Sequence, residues 1–189
     1  SPGLDSTFID VTGGWHDAAD YLQYVTTSAS ATYQMLFAYE ENPEAFQDSF
    51  QANGLPGSNG IPDVLDEARW GLECLLKMNP SAGMMFNQIA DGLDPLGFRL
   101  PSEDTVNYGR GKDRPVYRCT GKPQGILQYV NRATGIASTA GKFASAFAMG
   151  ARLYRNVDSA FARIMSDRAL SAYDYGQANP GVCQTAPCR

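Results

Sequence analysis

The stretch from Ile61 to Met78 limits the fold more than any other part of the chain. Val64, Leu65, Ala68, Leu72, Leu75 and Leu76 recur there at the three- and four-residue steps of one helix face. Pro62 suits the first turn, where its missing N–H forfeits no helical bond. Asp63, Asp66 and Glu67 complement the positive N-terminal end of such a helix, and Lys77 the negative C-terminal end. A helix with one apolar stripe is stable only when other elements cover that stripe.

Three further segments carry the same period. One helix is expected after Thr26, Thr27 and Ser28 as capping residues, with Ala29, Tyr33, Leu36 and Phe37 facing inward, and it stops before Pro43. Another begins near Ser138 and presents Phe143, Ala144, Phe147 and Ala151. The last starts around Asp158, turns Phe161, Ile164, Met165 and Ala172 inward, and ends near Gly176 ahead of Pro180. No alternating strand pattern and no β-α-β succession stands out, so the chain reads as all-α. At 189 residues it is one domain's worth by the usual ~100–200-residue prior.

Composition bears on partners. A formal net charge of −5 argues against nucleic acid, whose phosphates call for a basic face. No apolar run approaches the ~18–20 residues that span a bilayer, so no membrane partner is expected. Cys74, Cys119, Cys183 and Cys188 lack paired C-x-x-C spacing, and His16 is the single histidine, so no structural metal site is expected. Whether Cys183 and Cys188 close a small disulfide loop the sequence leaves open.

Between Met78 and Ser138 glycines and prolines break up every helical period. Structureless loops beyond about 12–15 residues are uncommon in compact domains, and often functional. This stretch holds Phe98, Tyr108, Arg110, Arg114, Tyr117 and Tyr129. Aromatic faces and guanidinium donors suit sugar rings and hydroxyls, but equally suit a surface loop anchored by its own side chains.

The segment from Asp10 to Tyr21 is the unusual one. Gly13 and Gly14 permit backbone turns that larger residues resist. Asp17 and Asp20 are three residues apart and would share a face in a helical turn. Two carboxylates that close repel, which raises one pKa and suits the pair to holding and deprotonating one water. They would stand too close to act as acid and base across a sugar, which needs roughly 6.5–9.5 Å. Spacing alone also fits Asp17 as a cap and Asp20 as a solvated acid. His16 and Trp15 likewise have ordinary packing roles.

Val11-Thr12-Gly13-Gly14-Trp15-His16-Asp17-Ala18-Ala19-Asp20-Tyr21 resembles the signature of glycoside hydrolase family 9, usually GGW-[YH]-DAGD, with Ala19 in place of the glycine. Gly60 to Leu72 is similar to the family's next helix, and Ser138 to Ala148 gives a third match in the same order. The resemblance implies an (α/α)6 toroid that hydrolyses β-1,4-glucan (cellulose, mixed-linkage glucan or cello-oligosaccharides) with inversion. Asp20 would be the general base and Asp17 would orient the water. Trp15, His16 and Tyr21 would bind substrate at the cleft floor.

The family's general acid is a glutamate far downstream, and Glu67, Glu73 and Glu103 lie in the wrong blocks to match it. Residues 1–189 are therefore expected to be the N-terminal portion of one catalytic domain. They would form an incomplete toroid with a long irregular loop region between the second and third helices. Such a piece would be inactive alone, its apolar surface covered by the rest of the domain or a second chain. The residues single out no cofactor, and the resemblance leaves structural calcium open in the full-length domain. An insoluble glucan substrate implies an extracellular or periplasmic location. The competing expectation is a non-catalytic carbohydrate-binding or scaffolding protein on the same helices.

Overall fold

The computed structural model describes residues 7–17, 22–89, 100–103, 108–118, 123–124, 129–130 and 136–181. Four helices form within them: α1 (Val25–Glu41), α2 (Asp63–Met78), α3 (Ala137–Leu153) and α4 (Ser159–Ala178). α1 packs on both α2 and α3, and α3 lies along α4. Their apolar rows meet in one core that includes Leu36, Leu65, Leu72, Leu75, Phe143, Phe147, Phe161 and Met165. Each buried side chain of this size contributes about 1.5–3 kcal/mol.

The joint between α3 and α4 ties the second pair of helices to the first. Tyr154 is fully buried there, and its hydroxyl donates to the Leu65 carbonyl of α2. Asp158 caps α4 by accepting from the Phe161 N–H at 2.9 Å, and also pairs with Arg69 of α2 at 2.9 Å. The Arg69 guanidinium lies 4.3 Å from the centre of the Phe161 ring.

Helices dominate as the sequence implies, but a sheet accompanies them. β1 (Thr7–Asp10), β2 (Gln23–Tyr24), β3 (Gln88–Ile89) and β4 (Asp113–Tyr117) form an antiparallel sheet in the order β1-β4-β3-β2. β5 (Pro123–Gln124) and β6 (Tyr129–Val130) pair separately. The stretch from Met78 to Ser138 therefore contains paired strands rather than irregular loop alone. Three of the four strands in it have only two residues, too few to show an alternating period. β1 and β2 are the two edges of the larger sheet, and residues 11–17 leave it from the β1 edge.

Two details of the expected helices are corrected. α1 begins at Val25, so Thr26, Thr27 and Ser28 lie inside it and none of them caps it. Strand pairing sets its start instead, for the Val25 N–H donates to the Asn87 carbonyl beside β3 at 3.0 Å. Phe37 and Ile164, both expected inside, stand 45% and 48% exposed. Each adjoins a buried residue, Leu36 or Met165, and one helical step turns a side chain by about 100°. Among the described residues no helix is long and apolar enough to cross a membrane.

Candidate active site

After β1 the backbone must turn sharply toward α2, and Gly13 and Gly14 supply the turn with φ of 131° and 65°. Both also come close to α2. A Cβ on Gly13 would stand 3.0 Å from the Cys74 Cβ, and one on Gly14 would stand 2.9 Å from the Cys74 sulfur. Lys77 donates to the Thr12 carbonyl at 2.7 Å, and the Trp70 indole donates to the Gly14 carbonyl at 3.2 Å. Trp15 then donates from its own indole to Glu67 at 2.8 Å.

Room for the Trp15 ring comes from Gly71, a residue poorly suited to a helix interior. A Cβ there would approach the Trp15 ring to 2.6 Å and the Thr32 hydroxyl to 2.2 Å. Trp15 is thus half-buried against α2. Cys74 is buried in the same seam, and burial pushes its thiol up to about 11, so it is held neutral. Asp10, at the start of the segment, is held down at about 2 by the hydroxyl and N–H of Thr12 and then by Lys77.

His16 and Asp17 follow, and both are exposed. Residues 15–17 form no helix, and the turn that would put Asp17 and Asp20 on one face runs through residues outside those described. The Asp17 N–H donates to the Leu22 carbonyl at 3.0 Å. Its carboxylate takes no part in the bonds that tie residues 10–15 to α2, and it caps no described helix. Asp20 and Tyr21 lie outside the described residues.

The aromatic and basic residues expected in the long stretch divide. Tyr108 meets Phe8 edge-on at 5.5 Å, and Arg110 lies 4.4 Å from the same ring. Arg114 donates to the carbonyls of Gly111 and Asp113 at 3.1 and 2.9 Å. Tyr117 is buried in β4 with Leu22 and Tyr24 packed against it. These four anchor their own surroundings. Phe98 and the Tyr129 side chain lie outside the described residues.

Sequence reasoning set Glu67 aside as an acid in the wrong block and passed over Gly71. A glycine inside an otherwise strong helix was the available signal, since it costs about 1 kcal/mol against alanine unless something packs there. A cavity of about 310 Å³ opens beside this seam, lined by Phe50, Gln51, Asp63, Asp66, Glu67 and Trp70 among others. Among the described residues no group of three or more His, Cys, Asp or Glu side chains is placed to hold a metal ion.

Comparison with known proteins agrees with the motif. The model of glycosyl hydrolase family 9 matches residues 3–188. A cellulose 1,4-beta-cellobiosidase of Acetivibrio thermocellus is 31% identical over 92% of the chain, and endoglucanase C of Cellulomonas fimi is 32% identical over 92%. A metagenome-derived family 9 endoglucanase of known structure is 39% identical over 93% of the chain, with a TM-score of 0.70. The chain spans 18% and 14% of the two curated relatives and 28% of the solved chain.

Proposed function

The chain belongs to glycosyl hydrolase family 9, and from that premise we propose that it supplies the water-activating half of an inverting β-1,4-glucan hydrolase. Asp20 takes the proton from a water that attacks the anomeric carbon. Asp17 accepts the water's other hydrogen and fixes its direction. A carboxylic acid from the rest of the catalytic domain protonates the departing glycosidic oxygen, so the bond breaks with inversion. Trp15, His16 and Tyr21 border the sugar, and the substrate class places the enzyme outside the cell.

One observation carries this reading. Asp17 ends a segment matching the family signature, and that segment is fastened to α2 through its backbone and Trp15 while the Asp17 carboxylate faces solvent. Exposed Ile164, Leu170 and Tyr173 on α4 fit the same proposal, as a surface that the remainder of the domain covers.

The test uses this chain within a complete family 9 catalytic domain. Asp20→Asn is expected to lower kcat by about 10²–10⁴-fold while cello-oligosaccharide binding persists. Unchanged turnover removes Asp20 as the base. Proton NMR of the first product should show the α-anomer, and a β-anomer would overturn inversion. The chain by itself should show no turnover, so a stable monomer that hydrolyses carboxymethyl cellulose would sink the half-site proposal.

A further inference from the structure

Residues 11–17 make no regular structure, and two of them are glycines with left-handed φ. Such a segment loses much conformational freedom on folding and cannot fix its own geometry. Residues 12–15 are anchored on one side of one helix. Glu67, Trp70, Gly71, Cys74 and Lys77 follow each other at steps of three, one, three and three along α2, and all five touch residues 10–15. Glu67 is exposed and Trp70 is 45% exposed, so neither is explained by filling the core. Their bonds to Trp15 and Gly14 explain them instead.

We propose that Glu67 and Trp70 are positioning residues for the reaction, setting through Trp15 and Gly14 where the Asp17 carboxylate stands. The Trp15 to Glu67 bond has an ionised acceptor, which makes it stronger than a neutral one. It locks the ring two residues before Asp17. The Asp17 to Leu22 backbone bond holds Asp17 itself from the other side. A displacement of about 1 Å at such a group costs on the order of 10²-fold in rate. Glu67 thus acts on the chemistry without touching substrate.

This assignment rests on the proposed hydrolase reading, and its test keeps the two apart. In the complete catalytic domain, Glu67→Ala should lower kcat about 10–100-fold, leave KM within about twofold, and move the acid limb of the kcat–pH profile. Glu67→Gln, whose amide oxygen still accepts the indole N–H, should recover most of the rate. Trp15→Phe should lower kcat to the same extent as Glu67→Ala, with any further change in KM coming from its contact with the sugar. The double variant should lower kcat no more than the worse single one, because both remove the same bond. Trp70→Phe should cost only a few-fold, its bond being neutral and longer.

A lowered melting point with wild-type kcat and pH profile in the Glu67 and Trp15 variants would make the contact merely structural and overturn the assignment. Additive losses in the double variant would overturn it as well. If Asp20→Asn abolishes turnover while Glu67→Ala does not change it, the positioning role alone fails. If Asp20→Asn turns over normally, the hydrolase reading has failed first.

Discussion

Two irregular segments lean on α2, and they spend their acids differently. Residues 46–62 are held by carboxylates. Asp48 accepts from the Ser58 hydroxyl at 2.6 Å, the Gly60 N–H at 2.7 Å and the Asn59 N–H at 2.9 Å. Asp63 accepts from the backbone N–H groups of Ser49 and Phe50 at 3.0 and 2.9 Å, and Asp66 accepts from the Asn59 amide at 2.7 Å. Residues 11–17 meet carboxylates at two points, Asp10 accepting from the Thr12 N–H and Glu67 from the Trp15 indole, each at 2.8 Å, and are otherwise held by carbonyls and two close glycines. A carboxylate that accepts several backbone bonds is a structural part. Asp17 is left with its carboxylate outside that work, and a water can be placed against it.

Variants can break that contrast. The largest effect should come from Gly71→Ala, which inserts a methyl where both Trp15 and Thr32 already stand. Overpacking of this kind costs about 1–3 kcal/mol, and a clash with two side chains belongs at the upper end. Urea denaturation measures it, and a midpoint equal to the parent's would show that Trp15 does not occupy the gap.

Next in size is a matched pair. Asp63→Ala should cost about 1–2 kcal/mol in stability, from bonds to a charged acceptor and from the lost carboxylate at the α2 N-terminus, with turnover of the folded enzyme retained. Asp17→Ala should reverse the pattern, changing stability by less than about 0.5 kcal/mol while turnover falls. Equal behaviour of the two variants would erase the distinction between the segments.

The smallest effect concerns pH. Hydrogen bonds from Ser58 and then Asn59 hold the Asp48 carboxyl below its ordinary value, while the unfolded group titrates near ~3.9. The folded form therefore binds fewer protons, so its stabilisation is present above about pH 4 and is lost as pH falls through the folded value. Amide protection factors at Asn59 and Gly60, corrected for the intrinsic rate, should fall below about pH 4, while the Trp70 indole N–H, bonded to a carbonyl, keeps its protection. Uniform exchange across both segments would deny that the Asp48 carboxylate holds residues 58–60.

The helices were legible because each repeats an apolar residue every three or four positions for four or more turns. The α2 stripe of Leu65, Ala68, Leu72 and Leu75 is buried as read. Phe37 and Ile164 were misread because a 100° step separates core from solvent, finer than a list of apolar residues resolves. The sheet was illegible for another reason: a two-residue strand such as β2 or β3 has a partner but no period. At the site, the motif marked Asp17, whereas Glu67 looked like one more acid on a helix.

The sequence by itself determined four amphipathic helices, the break at residues 13–14 and the family, because these rest on local periodicity and on contiguous motifs. Only tertiary structure decided that Gly71 is a seat for Trp15, that Glu67 receives its indole, and that the Asp17 carboxylate stays outside the bonds to α2. Those facts join residues more than fifty positions apart, as with Trp15 and Glu67. Nothing in either local pattern encodes such a meeting until the helix and the strand edges have brought the two segments together.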